Sequence, residues 1–135
     1  MTDRTEANER NLTGVWHGLY TYPTGLSVSF VATLIDSGSH LSGSTHEPSA
    51  GHSPGATLYA TLSGSCRDKV VLFEKTYDRA GPDYENAIAY DGTLSGDGTE
   101  IEGRWTIRDV LSGKFLMIRS GNKAVAAKRK AVQRV

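Results

Sequence analysis

The chain reads as an all-β protein, an eight-stranded antiparallel up-and-down barrel. Three observations predict this. Apolar residues recur with a period of two, the spacing that puts them on one face of a strand. Clusters of Gly, Pro, Asp and Ser interrupt that alternation about once per strand length. No segment before residue 121 sustains a 3.6-residue period, so helical readings fail. At 135 residues the chain has the length of one domain, and 38% hydrophobic residues suit a half-solvated sheet better than one covered on both faces. Closing the sheet removes edges that would otherwise template aggregation.

Residues 1–10 are charged and without period, and read as a disordered leader ahead of a barrel domain at 11–120. From Leu12 the alternation begins: Leu12, Gly14, Trp16, Gly18, Tyr20 and Tyr22 share one face. Pro23-Thr24-Gly25 supplies a turn, and Ser27–Ile35 follows with Val28, Phe30, Ala32 and Leu34 on one side. Asp36-Ser37-Gly38 turns the chain into Leu41–His46. Residues 47–55, EPSAGHSPG, read as a loop at one mouth. Thr57–Ser65 alternates again, Cys66-Arg67-Asp68 reads as a hairpin connection, and Lys69–Tyr77 is the most β-prone run. Arg79-Ala80-Gly81-Pro82 breaks it before Asn86–Leu94. Ser95-Gly96-Asp97-Gly98 is the clearest hairpin signal, because Asp-Gly tolerates the positive φ that tight turns need. Thr99–Ile107 sets Ile101, Gly103, Trp105 and Ile107 against Glu100, Glu102, Arg104 and Thr106; Lys114–Arg119 completes the set. Residues 121–135 carry five basic residues and no acid, and read as a disordered or weakly helical basic tail.

Composition narrows the function. Fifteen basic and fifteen acidic residues balance, so no global field recruits nucleic acid or a membrane. Cys66 is the only cysteine, and the first ten residues contain no apolar stretch of a secretory kind. No apolar run approaches the roughly 18 residues of a membrane span. The expected location is cytoplasmic. No phosphate-binding loop, dinucleotide glycine pattern, nucleophile elbow or Cys–His pair occurs, and the expectation is a protein without catalysis, cofactor or metal.

Gly14-Val15-Trp16 on the first strand and Arg119 on the last resemble the clamp of the calycin superfamily, which includes lipocalins, fatty-acid-binding proteins and avidins. The resemblance implies that the Arg119 guanidinium packs across the Trp16 indole at the closed end of the barrel, a cation–π contact of about 0.5–2 kcal/mol. Leu12-Thr13-Gly14-Val15-Trp16, Leu41-Ser42-Gly43-Ser44 and Gly103-Arg104-Trp105 look most like avidin and streptavidin by spacing. The avidin biotin site is not matched. Thr45 stands near the place of the tyrosine that holds the ureido group, Gly18 replaces a polar contact, and Phe115 falls near the last-strand Asp or Asn. A similar Gly-x-Trp-x-Gly stretch opens the haem-binding nitrobindins, whose axial His late in the chain has no counterpart here beyond His52.

The interior is the candidate site. An eight-stranded barrel has room for side chains or one small ligand. The inward glycines Gly14, Gly18, Gly43, Gly64, Gly92 and Gly103 leave space that either neighbouring aromatics or a ligand fills. The expected ligand-binding walls are Tyr20, Phe30, Thr45, Phe73, Tyr90, Trp105 and Phe115, with Tyr22 capping the rim. On Phe73-Glu74-Lys75-Thr76-Tyr77 both faces look buriable, so the orientations of Glu74 and Lys75 stay open; an acid–base role for Glu74 with Tyr90 is a minor alternative. Cys66 beside Arg67 is expected to be an inert, exposed thiol, the alternative being a thiol whose pKa Arg67 lowers. The reading is a binding protein for a small, largely apolar molecule at a mouth framed by residues 23–26, 47–55 and 78–85. The alternative is a filled barrel that self-assembles or pairs with another protein through outward Val15, Leu19, Val31 and Ile35.

Overall fold

The computed structural model describes residues 11–48, 56–78 and 87–121. Eight strands run β1 Gly14–Thr21, β2 Ser27–Asp36, β3 Leu41–Pro48, β4 Thr57–Arg67, β5 Val70–Tyr77, β6 Ile88–Leu94, β7 Glu100–Ile107 and β8 Leu111–Arg119. Each pairs antiparallel with the next, and β8 returns to β1 over Trp16↔Arg119 to Thr21↔Lys114, closing the barrel. Among the described residues there is no helix, and so none long and apolar enough to cross a membrane. The leader, most of the 47–55 and 78–85 segments and the basic tail beyond Gly121 lie outside the described residues.

Strand boundaries differ from expectation where the turns are tighter than their residues advertise. β3 runs on through Glu47 and Pro48, in place of the expected loop. Pro48 pairs with Thr57 in the last rung, a strand end where a missing N–H is tolerated. β4 continues to Arg67 because the turn is only Asp68-Lys69, with Asp68 at φ 56°. β8 begins at Leu111, three residues before the expected Lys114, because Asp109 takes φ 61° and tightens the preceding turn. The Asp-Gly hairpin forms as expected: Gly98 has φ 74°, and its N–H donates to the Ser95 carbonyl at 3.0 Å. The Asp97 carboxylate accepts from Ser95 Oγ at 2.7 Å and Thr99 Oγ1 at 2.8 Å, which holds its pKa below the usual range.

One end of the barrel is sealed. Leu12 and Trp16 are fully buried there, and the indole N–H donates to the Leu12 carbonyl at 2.9 Å. The Leu12 N–H donates to Asp36 Oδ2 at 3.0 Å and Thr13 Oγ1 accepts the Asp36 N–H at 2.9 Å, tying the entering chain to the end of β2. Arg119 lies 4.7 Å over the Trp16 ring and also donates to the Asn11 carbonyl at 2.8 Å and the Gly98 carbonyl at 3.1 Å. The opposite end is the mouth, carrying residues 22–26 and 108–110 and the ends of β3, β5 and β7.

Between the ends, aromatic rings fill the space over inward glycines. A Cβ at Gly18 would overlap the Phe30 ring, and one at Gly92 would stand 2.8 Å from Phe115 Cζ. Gly64 instead lets β5 approach so closely that a Cβ would overlap the Leu72 carbonyl oxygen, a bend that helps the sheet curl shut.

Candidate functional site

All seven expected wall residues point inward and are buried. The six aromatic ones fall into two groups. Phe73 stacks on Tyr90 at 4.7 Å, and Phe115 meets both edge-on at 6.1 and 4.9 Å, a self-satisfied aromatic cluster. Nearer the mouth, Tyr20 meets Phe30 and Trp105 at 6.0 Å each, and Tyr22 packs edge-on against Trp105 at 5.3 Å. The Trp105 indole N–H donates to the Thr21 carbonyl at 3.1 Å, bridging across β8.

At the centre of the second group sits a pair that alternation alone does not reveal. Lys75 is 1% exposed and Glu47 3%, and Lys75 Nζ donates to Glu47 Oε1 at 2.6 Å. The two lie 28 residues apart and meet inside the barrel because β3 and β5 flank β4. Tyr77 OH donates to Glu47 Oε1 at 2.8 Å and Tyr20 OH to Oε2 at 2.5 Å, so one carboxylate gathers an ammonium and two phenols. The ammonium also lies 4.9 Å from the ring centres of Tyr20 and Tyr77, 5.1 Å from Phe30 and 5.9 Å from Tyr90. Electron-rich ring faces on several sides make an aromatic cage around a cation.

The electrostatics follow from burial. Removal from water favours the neutral amine, and it lowers Lys75 below the ordinary lysine value although the Glu47 carboxylate pulls the other way. Burial, with Glu47 close by, pushes the Tyr20, Tyr77 and Tyr90 phenols far above their ordinary value. Thr45 stands two residues before Glu47 on the same inward face, between Ala32 and Ala60 in register. Its hydroxyl is buried and has no hydrogen-bond partner among the described residues.

Three sequence expectations are corrected. Glu74 faces solvent while Tyr90 is buried inside, so the barrel wall separates them and they cannot act as one acid–base pair. Glu47, expected in a mouth loop, is a buried strand residue. Cys66 is half-buried on β4 rather than exposed in a turn, and burial together with Asp36 and Asp68 raises its thiol pKa. One signal points to Lys75: a charged residue spaced two from Phe73 shares its inward face. Glu47 carries no such mark, since proline and glycine follow it closely.

A groove of about 530 Å³ lies on the outer wall where β1, β7 and β8 meet. Leu19, Thr21, Glu102, Arg104, Lys114 and Leu116 line it. Among the described residues no group of three His, Cys, Asp or Glu side chains is placed to hold a metal ion.

No protein-family model and no curated protein matches the chain. Solved structures do. A redesigned β-barrel superposes with a TM-score of 0.67 at 17% identity, covering 89% of this chain and 99% of that one. A de novo designed fluorescence-activating β-barrel gives 0.61 at 14% identity, covering 85% and 98%. At such identities the likeness establishes the architecture: this chain is an eight-stranded antiparallel β-barrel.

Proposed function

We propose that the barrel binds a small, largely apolar molecule through its mouth, with Glu47, Lys75, Tyr20 and Tyr77 supplying the polar recognition. One observation carries this reading: a buried ion pair bonded to two phenols in the mouth-side layer of a largely apolar interior. A purely structural filling has no need of it, since replacing a buried pair by hydrophobic residues is often neutral or stabilising by about 1–4 kcal/mol. Apolar walls with a few convergent polar groups are the usual chemistry of a small-molecule site. The Trp16–Arg119 contact at the opposite end supports a calycin-like reading of the same barrel. One structural neighbour is a barrel designed to activate fluorescence, a use of the same architecture that agrees with a binding role. The test is titration of the purified chain with a panel of solvatochromic aromatic dyes, following Trp105 emission, with native mass spectrometry for copurified small molecules. Saturable one-to-one binding that quenches Trp105 is expected; no saturable binding and no copurified molecule would sink the reading.

The outer groove, together with exposed Val15 and Ile35 on adjacent strands, favours a second reading in which the wall docks on another copy of this chain. Leu19 and Val31 on the same wall are half-buried. Light scattering at several concentrations tests it, and a strict monomer removes it.

A further inference from the structure

We propose that Lys75 captures an aldehyde ligand covalently, as a protonated imine held by Glu47 inside the cage of Tyr20, Phe30, Tyr77 and Tyr90. The inference rests on the small-molecule reading above and names its ligand class. Three features of the interior point to it. The amine is the one lysine nitrogen buried among the described residues, and it lies two residues from the mouth end of β5. Its surroundings suit a cation whether that cation is an ammonium or an iminium: the carboxylate is 2.6 Å away and four rings lie within 5.9 Å. The Thr45 hydroxyl, with no partner among the described residues, is an unused donor one step deeper on the strand that carries Glu47. Its register partners Ala32 and Ala60 are the smallest inward side chains of their strands apart from glycine.

The chemistry balances without an added reagent. Lys75 passes one ammonium proton to the Glu47 carboxylate, and the free amine lone pair attacks the aldehyde carbon. The C–N bond forms as the carbonyl π bond breaks, and one proton moves from nitrogen to oxygen, giving a neutral carbinolamine. The proton held by Glu47 passes to the hydroxyl, which leaves as water while the nitrogen lone pair forms the C=N bond; the nitrogen keeps its last hydrogen as the iminium N–H. The net change is ammonium plus aldehyde to iminium plus water, so the cation and its counter-ion are both conserved. Burial lowers the lysine pKa and thereby raises the fraction of free amine available for the first step.

The experiment uses 6-methoxy-2-naphthaldehyde and the corresponding alcohol with the full-length chain. Binding of the alcohol is read by fluorescence anisotropy. The aldehyde is added with sodium cyanoborohydride, and peptide mapping by mass spectrometry locates the secondary amine. The expected result is a dominant single adduct on Lys75, forming at least tenfold faster than any on exposed Lys69 or Lys114. It should be accompanied by a red-shifted iminium absorbance that Lys75→Arg removes. Because mapping is done on the unsubstituted chain, a variant that fails to fold does not blunt the test. Alcohol binding with adducts only on surface lysines overturns the covalent capture and leaves the binding reading standing. No alcohol binding and no Lys75 adduct overturns both.

Discussion

Removing one member of the Glu47–Lys75 pair should damage the fold more than removing both. In Lys75→Met the Glu47 carboxylate stays buried and keeps its two phenol donors at 2.5 and 2.8 Å, but loses the cation contact at 2.6 Å. Breaking a buried pair from one side typically costs about 3–5 kcal/mol. The remaining donors place this substitution near the lower end, about 3 kcal/mol. In Glu47→Leu the ammonium retains only ring faces, and two phenols lose their acceptor, so about 4 kcal/mol is expected. The double variant leaves no buried charge; Tyr20 and Tyr77 also hydrogen-bond to each other, so the two phenols together lack one acceptor, a residual deficit of about 1–3 kcal/mol. The cycle should therefore give a coupling of about 3 kcal/mol or more favouring the pair. Urea unfolding followed by tryptophan emission and far-ultraviolet dichroism measures all four proteins, with the midpoint shift converted through a common m value. Single-variant losses that simply add in the double, with coupling below about 0.5 kcal/mol, would refute the buried pair and the site built on it.

Arg119→Ala removes the contact over Trp16 and two hydrogen bonds to carbonyls, and should destabilise by about 2–3 kcal/mol in urea; Arg119→Lys should recover less than half, having no planar fork. Gly64→Ala sets a Cβ against the backbone of β5 and should lose at least about 3 kcal/mol, whereas Gly18→Ala meets the movable end of the Phe30 ring and should lose about 1–3 kcal/mol. At high pH the three phenols whose folded pKa is raised stabilise the fold below about pH 10, their unfolded value, and that contribution is lost as pH climbs further. Lys75, whose pKa is lowered, works in the opposite sense, its penalty fading as pH rises toward about 10.4. Three phenols outweigh one amine, so stability should fall above pH 10 by up to about 4 kcal/mol per pH unit. Tyr20, Tyr77 and Tyr90 should then add their tyrosinate absorbance only as the fold opens.

The alternation of Ile101, Gly103, Trp105 and Ile107 against charged neighbours is enough by itself to say which face of β7 looks inward, because side-chain direction in a strand has period two. The same local rule places Tyr20, Phe30, Thr45 and Phe115 inside, and the positions of Trp16 and Arg119 at the two ends of the pattern let their approach be anticipated from a family resemblance. Turn chemistry is less legible. Asp68 and Asp109 take positive φ without the glycine that would advertise it, so β4 and β8 extend further than their residues suggest.

What sequence alone determined is strand count and the parity of every strand but β5, because each follows from the pattern of residues a few positions apart. What only the tertiary structure decided is the partner of each buried charge. An unpaired ammonium does not stay in an apolar interior, so the direction of Lys75 depends on a carboxylate that lies on another strand, 28 residues away and hidden among loop-forming residues. Closing β3, β4 and β5 into one wall brings the two within 2.6 Å, and that contact turns a filled core into a candidate site.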